Sequence, residues 1–309
     1  MYTYRQIFKQ AFKVAWQNPN IWFFGFFAVF LGGDLIFSSY NFGIDRILFA
    51  FLQGLQAGGL FSLSGLSGAA KVFLIHPLFL FLIILIFLLL LSLVVLTVWL
   101  AVISQTALIS QIVSLTKGKR LSWRAGFDFG LIKFWPVLGL NVLLRIVTWG
   151  LAGIVILLSA IKFPGYLLVF ILLFDIVLAI ELIVSFIGRY AICGIILKDW
   201  SFKESITSAL DIFKKNWLLS FEIAIILFLI SLLVNGLLFI VLPFLLLTFL
   251  GIYSGFTFGL IFLLSALLVA FLFVEIILVT FRWGSWVLVF ELLTGRKLAL
   301  ASLLQRIFS

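Results

Sequence analysis

Residues 79–91 read FLFLIILIFLLLL, thirteen apolar residues in succession with no charge and no alternation. A strand with one buried face alternates with a period of two, and a membrane barrel is built from alternating segments of about ten residues. This run does neither, and the apolar stretch that contains it extends over 77–113. About 20 apolar residues carry a helix across roughly 30 Å of hydrocarbon, so the stretch is long enough to span. Lipid offers no partner to an open backbone, and the segment is therefore expected to be helical.

Five further stretches have the same character, at approximately 20–38, 134–161, 165–197, 217–241 and 256–290. The expectation is an all-α, polytopic membrane protein with six transmembrane helices, forming a single integral membrane domain over 1–309. Several stretches exceed the minimum, which implies tilt or extension into the cytoplasm. Composition excludes the soluble alternative: 65% of residues are apolar and 10% charged, with a mean hydropathy of +1.36. A soluble domain carries roughly 45–50% apolar and about 25% charged residues, because its surface must be clothed in polar groups.

Net charge is +10. In a soluble chain that excess would point to nucleic acid. Here the cations lie in short links between apolar runs, which points to anionic lipid headgroups and away from nucleic acid. Lys and Arg also set orientation. One set of links and termini holds 16 of them, including Arg5, Lys9, Lys13, Lys119, Arg120, Arg124, Lys203, Lys214 and Lys215. The alternate links hold three, Arg46, Lys71 and Lys162. Both termini are expected on the cytoplasmic side of a cell membrane. No small-residue cleavage site follows the first apolar run, so no cleaved signal is expected.

The first outer link, about 39–76, is rich in Gly and Ser, and residues 44–60 within it have the pattern of a short surface helix. The other outer links are short, near Pro164–Gly165 and Pro243–Tyr253.

The cytoplasmic links resemble one another. Thr3-Tyr4-Arg5, Ser122-Trp123-Arg124 and Ser201-Phe202-Lys203 each open a stretch with apolar residues at helical spacing. A hydroxyl residue suits the N-cap, since its oxygen accepts from an unpaired N–H of the first turn. In the first stretch Arg5, Lys9 and Lys13 form a stripe set against Tyr4, Phe8, Phe12 and Trp16. In the third, Lys203, Asp211 and Lys214 contrast with Phe202, Ile206, Phe213 and Trp217. A basic face with aromatic residues opposite is the pattern of a helix lying in the membrane interface; the alternative is the cytoplasmic end of the following span. Gly118-Lys119-Arg120-Leu121 is echoed by Gly295-Arg296-Lys297-Leu298, where a last surface helix at about 298–308 is expected. The repeating unit is an interfacial helix followed by two spans, used three times, at approximately 1–115, 116–198 and 199–309.

Arg189 through Asp199, with Ser201, Ser205, Ala209 and Leu210, resembles the membrane domain found in glycerophosphodiester phosphodiesterases. The Gly118-Lys119-Arg120-Leu121-Ser122-Trp123 link is similar to that group's first cytoplasmic loop. The resemblance covers nearly the whole chain and implies a stand-alone relative of that domain. In the enzymes, catalysis belongs to a separate soluble barrel whose acidic and histidine residues bind a metal. These 309 residues include no such barrel and one histidine, His76, so the activity is not carried over.

Charged groups inside spans are costly and are candidates for function. They are Arg145, Asp175, Glu181, Glu275 and Arg282, with Arg189 and Glu222 nearer the inner boundary. Arg145 and Asp175 lie at similar depth on neighbouring spans, so Arg145 is expected to pair with Asp175 or Glu181. Glu181/Arg189 and Glu275/Arg282 form an echo eight and seven residues apart. Seven residues return a side chain to the same helical face, which is expected to turn inward. Either these groups fix helix association or they form a polar path. Gly150, Gly153, Gly251, Gly255 and Gly259 are expected to permit close helix approach. Cys193 stands alone, so no disulfide or thiol metal site is expected. No cofactor or catalytic residue is expected, since no serine has a histidine partner on its face of the membrane. The function expected is a non-enzymatic, lipid-interacting organising module; the alternative is a small transporter with an intramembrane polar path. A protein partner is compatible with either.

Overall fold

A computed structural model describes residues 4–31, 77–119, 121–160, 166–252 and 257–295. All secondary structure among them is helical: α1 (Tyr4–Gln17), a 3₁₀ turn (Pro19–Ile21), α2 (Trp22–Leu31), α3 (Pro77–Thr116), α4 (Trp123–Ile132), α5 (Phe134–Ala160), α6 (Tyr166–Leu197), α7 (Phe202–Lys215), α8 (Trp217–Ile252) and α9 (Thr257–Thr294). Five helices, α3, α5, α6, α8 and α9, are long and apolar enough to cross a membrane. Of the expected first span at 20–38, the described part is the shorter apolar segment Pro19–Leu31. The surface helices expected at 44–60 and 298–308 lie outside the described residues.

One outer link begins later than expected. The helix α8 runs through Pro243 to Ile252, so Pro243 is a helical residue and not a turn. Proline inside a membrane helix is tolerated where neighbouring groups take up the freed carbonyl.

The short helices are separate elements with their own ends. Ser122 caps α4, its Oγ accepting from the Ala125 N–H at 3.1 Å. Ser201 and Glu204 form a reciprocal capping box at the start of α7. Asn18 after α1 and Asn216 after α7 each donate a side-chain N–H to the carbonyl four residues back, Val14 O and Ile212 O. Lys133 closes α4 before α5 begins. The middle stretch is thus its own helix and not merely the end of the following span. Two second spans end on left-handed residues, Gly118 (φ 75°) and Asp199 (φ 58°). At Gly118 the Lys119 N–H returns to Ser114 O and the Gly118 N–H to Leu115 O, which satisfies carbonyls the ending helix would leave open.

Packing follows a cyclic order. The helix α1 lies on α9, α4 on α3 and α7 on α6. Within the sequence, α2 packs on α3, α5 on α6 and α8 on α9. Pairwise contacts among α3, α6 and α9 close the centre. The buried side chains lie at one end of each long helix, from Ala101 to Val113 on α3, from Ser185 to Ile196 on α6 and from Glu275 to Phe290 on α9. Towards the other end the helices stand apart, and residues 81–96 of α3 are exposed throughout. Sixteen residues at 1.5 Å each make a band of roughly 24 Å, close to the thickness of a bilayer core. No monomer in water presents so large an apolar surface.

This division corrects the expectation for two glycines. A Cβ on Gly150 or Gly153 would meet nothing within 4 Å. The close approaches are at the packed end. A Cβ on Gly25 would lie 2.7 Å from Thr280 Oγ1, on Gly130 2.7 Å from Ile103 O, and on Gly188 2.7 Å from a Leu144 methyl. Gly251 and Gly259 lie within helices, and Gly255 lies outside the described residues.

Candidate functional site

The three short helices bury the same register. Counted from Tyr4, Trp123 and Phe202, the fourth and eighth residues are Ile7 and Ala11, Gly126 and Gly130, and Ser205 and Ala209, and all six are buried. Small residues let the helices lie close to the spans they cross: a Cβ on Gly284 of α9 would touch Ala11, and one on Gly126 of α4 would overlap the Gln111 side chain. With that face committed, the basic residues point outward. Arg5, Lys9, Lys13, Lys119, Arg124, Lys203, Lys214 and Lys215 are all exposed. Arg120 lies outside the described residues.

The aromatic residues of α1 do not all oppose the basic stripe as expected. Tyr4 and Phe8 pack against the core. Phe12 and Trp16 are 52% and 55% exposed, beside Arg5, Lys9 and Lys13. The reason is the period: Phe12 and Trp16 follow Arg5 and Lys9 by seven residues, two helical turns, and so share their face. Their rings stack, with centroids 6.0 Å apart and planes at 13°. Trp135 and Trp217, at the starts of α5 and α8, are also exposed, while Trp22 at the start of α2 donates its Nε1–H to Ala15 O at 2.7 Å. Tryptophan beside lysine at the head of a span is the arrangement found at the headgroup level of membranes.

The intramembrane charges fall into distinct settings. Arg145 was expected to meet Asp175 or Glu181. Instead its Nη2 donates to Leu31 O at 2.8 Å. Leu31 is the last described residue of α2, and the guanidinium is held by the backbone of that helix. Asp175 is exposed on the part of α6 that stands clear of its neighbours, and Glu181 is partly buried. Glu275 and Arg282 behave as their spacing implies: both are buried, at 5% and 6% exposure, and Arg282 Nη2 lies 3.4 Å from Glu275 Oε2. The partner echo does not form between Glu181 and Arg189. Eight residues rotate a side chain about 80° off the shared face, and Arg189 places its guanidinium over the Trp286 ring, 4.7 Å from the centroid. Around it Tyr190 hydrogen-bonds Ser220 at 2.7 Å, and Phe186 packs on Trp286. These contacts join α6 to α8 and α9.

Contacts that sequence reasoning missed tie the packed ends together. Lys117 pairs with Glu291 at 2.8 Å, Lys133 pairs with Asp199, and Tyr4 donates to Glu222. The pairs join α3 to α9, the end of α4 to the α6–α7 link, and α1 to α8. Only the density of charge in the links could have pointed to them.

Two recesses open at this end. One, of about 530 Å³, lies between α1 and the end of α3 and is lined by residues including Lys9, Lys13, Gln10 and Thr116. The other, of about 350 Å³, lies where α3, α6 and α9 end and contains Lys117, Lys198 and Glu291.

No family model, curated protein or solved structure matches this chain. The likeness to the phosphodiesterase membrane domain therefore rests on the loop residues alone.

Proposed function

We propose that this chain is a non-enzymatic membrane module that gathers anionic lipid on the inner leaflet, using the interfacial helices of a three-fold repeat, of which α1 and α7 are basic. It resides in the cell membrane with both termini cytoplasmic, and Trp22–Leu31 with the residues after it forms the sixth span. The observation that carries the reading is the shared register of the short helices. Each buries its fourth and eighth residues and turns its cations outward, next to exposed aromatic rings on α1 and at the heads of α5 and α8. The order of short helix, span, span, and the seating of each short helix on the last span of another unit, support the repeat. Kinship with the phosphodiesterase membrane domain belongs to the same proposal, as a likeness of scaffold without its chemistry.

Transport would require Arg145, Asp175, Glu181 and Glu275 to share a path. Arg145 is bound to the Leu31 carbonyl of α2, Glu275 is engaged by Arg282, and Asp175 lies on an outer surface. None of them lines either recess. Structural roles account for the buried ones.

The test is the lipid preference of the purified chain. In neutral detergent, adding phosphatidylglycerol should raise the unfolding midpoint more than adding phosphatidylcholine. Each Lys or Arg near an anionic surface contributes on the order of 1 kcal/mol, so changing Arg5, Lys9, Lys13, Lys203, Lys214 and Lys215 to Gln should remove most of the difference. Equal midpoints with the two lipids would reject the reading.

A further inference from the structure

The recess between α1 and the end of α3 differs in its balance of charge from the neighbouring recess and from α7. It contains Lys9 and Lys13 with the amides of Gln10 and Gln17, and none of its described lining residues is acidic. The neighbouring recess has its own counter-charge, since Lys117 is held by Glu291 at 2.8 Å. The helix α7 likewise intersperses Glu204 and Asp211 among its lysines. The helix α1 has no acid along its length, and Arg5, Lys9 and Lys13 recur every four residues. Like charges at that spacing lie about 6 Å apart and repel. An isolated helix would relieve the repulsion by fraying, but α1 is pinned: Ile7, Ala11, Val14 and Ala15 are buried, and Trp22 ties down Ala15 O. The cations are therefore held in place without a carboxylate among the described residues that line their recess.

We propose that this recess seats a phosphate group, its negative charge lying between the Lys9 and Lys13 ammonium groups and its oxygens accepting from the amides of Gln10 and Gln17. Lysine serves phosphate as a mobile point charge, and amide N–H groups supply direction. A volume of about 530 Å³ falls within the range of small-molecule sites and exceeds what a phosphate alone fills. The stacked rings of Phe12 and Trp16 are exposed on the helix face that carries Lys9, where an acyl or glycerol moiety attached to the phosphate would lie. The chemistry is common to a lipid headgroup and to free phosphate. The proposal rests on the lipid-gathering reading and narrows it to one site.

The test compares three proteins: the native chain, Lys9→Gln/Lys13→Gln, and Lys203→Gln/Lys214→Gln. Each is titrated in neutral detergent with phosphatidylglycerol in a phosphatidylcholine background, and separately with inorganic phosphate, following the unfolding midpoint and the lipid retained in native mass spectra. The first pair should weaken half-saturation tenfold or more, whereas the second should leave it within about twofold. Lys9→Arg/Lys13→Arg, which keeps the charge, should retain the response. A response to inorganic phosphate alone, lost in the first pair, assigns the seat to free phosphate; a response to lipid alone assigns it to a headgroup. An anionic preference unchanged by Lys9→Gln/Lys13→Gln overturns the recess while leaving the broader reading intact. A native chain that responds to neither phosphatidylglycerol nor inorganic phosphate overturns both.

Discussion

Changing Gly130 to valine is expected to lower stability by at least 2–3 kcal/mol, the upper part of the range for overpacked interiors. A Cβ at this position would lie 2.7 Å from the carbonyl oxygen of Ile103 and 2.7 Å from its methyl. The methyl can rotate, but the oxygen belongs to a helix held on several sides, so α4 would have to leave α3. The same change at Gly150, where a Cβ meets open space, should move the midpoint little. Thermal unfolding of the two variants in one detergent reads the contrast. Equal midpoints would mean that the short helix is not seated as described.

Glu275→Leu is expected to cost about 3–5 kcal/mol, because removing one member of a buried pair leaves the other charge in a poorly solvating interior. Arg282 is 6% exposed and lies 3.4 Å from the Glu275 carboxylate along one face of α9. Replacing both residues with leucine removes the stranded charge together with its partner. The double variant should therefore be more stable than Glu275→Leu alone, giving a coupling energy well outside the few tenths seen for independent sites. Additive losses would contradict a structural role for the pair and revive the polar path.

What could be read from the residues alone followed the strength of each physical signal. Apolar length marked five spanning helices, because the cost of an unpaired backbone in lipid leaves a single solution. Ser122 and Ser201 marked helix starts through cap chemistry that acts within one turn. The seven-residue spacing of Glu275 and Arg282 disclosed their pairing for the same reason, being local to one helix. Contacts between helices were harder. Arg145 was matched to an acid by depth, yet depth along two spans does not say whether their ends converge, and a backbone carbonyl such as that of Leu31 carries no mark in a list of charges. Gly150 and Gly153 resembled packing glycines, but only helix ends that converge can use them. The buried face of α1 was missed because alanine is a weak apolar signal beside phenylalanine, although Ala11 and Ala15 make the close approach and Phe12 does not.

Topology gives the most direct test of the central claim, which is that all three short helices lie on the inner face of the membrane. In a background with the buried Cys193 changed to serine, single cysteines replace Lys13, Lys119 and Lys203 on α1, before α4 and on α7. A membrane-impermeant maleimide should label none of the three in intact cells and all three in inverted vesicles, whereas a cysteine replacing Lys162 should show the reverse. Labelling of any of the first three from outside would contradict the account.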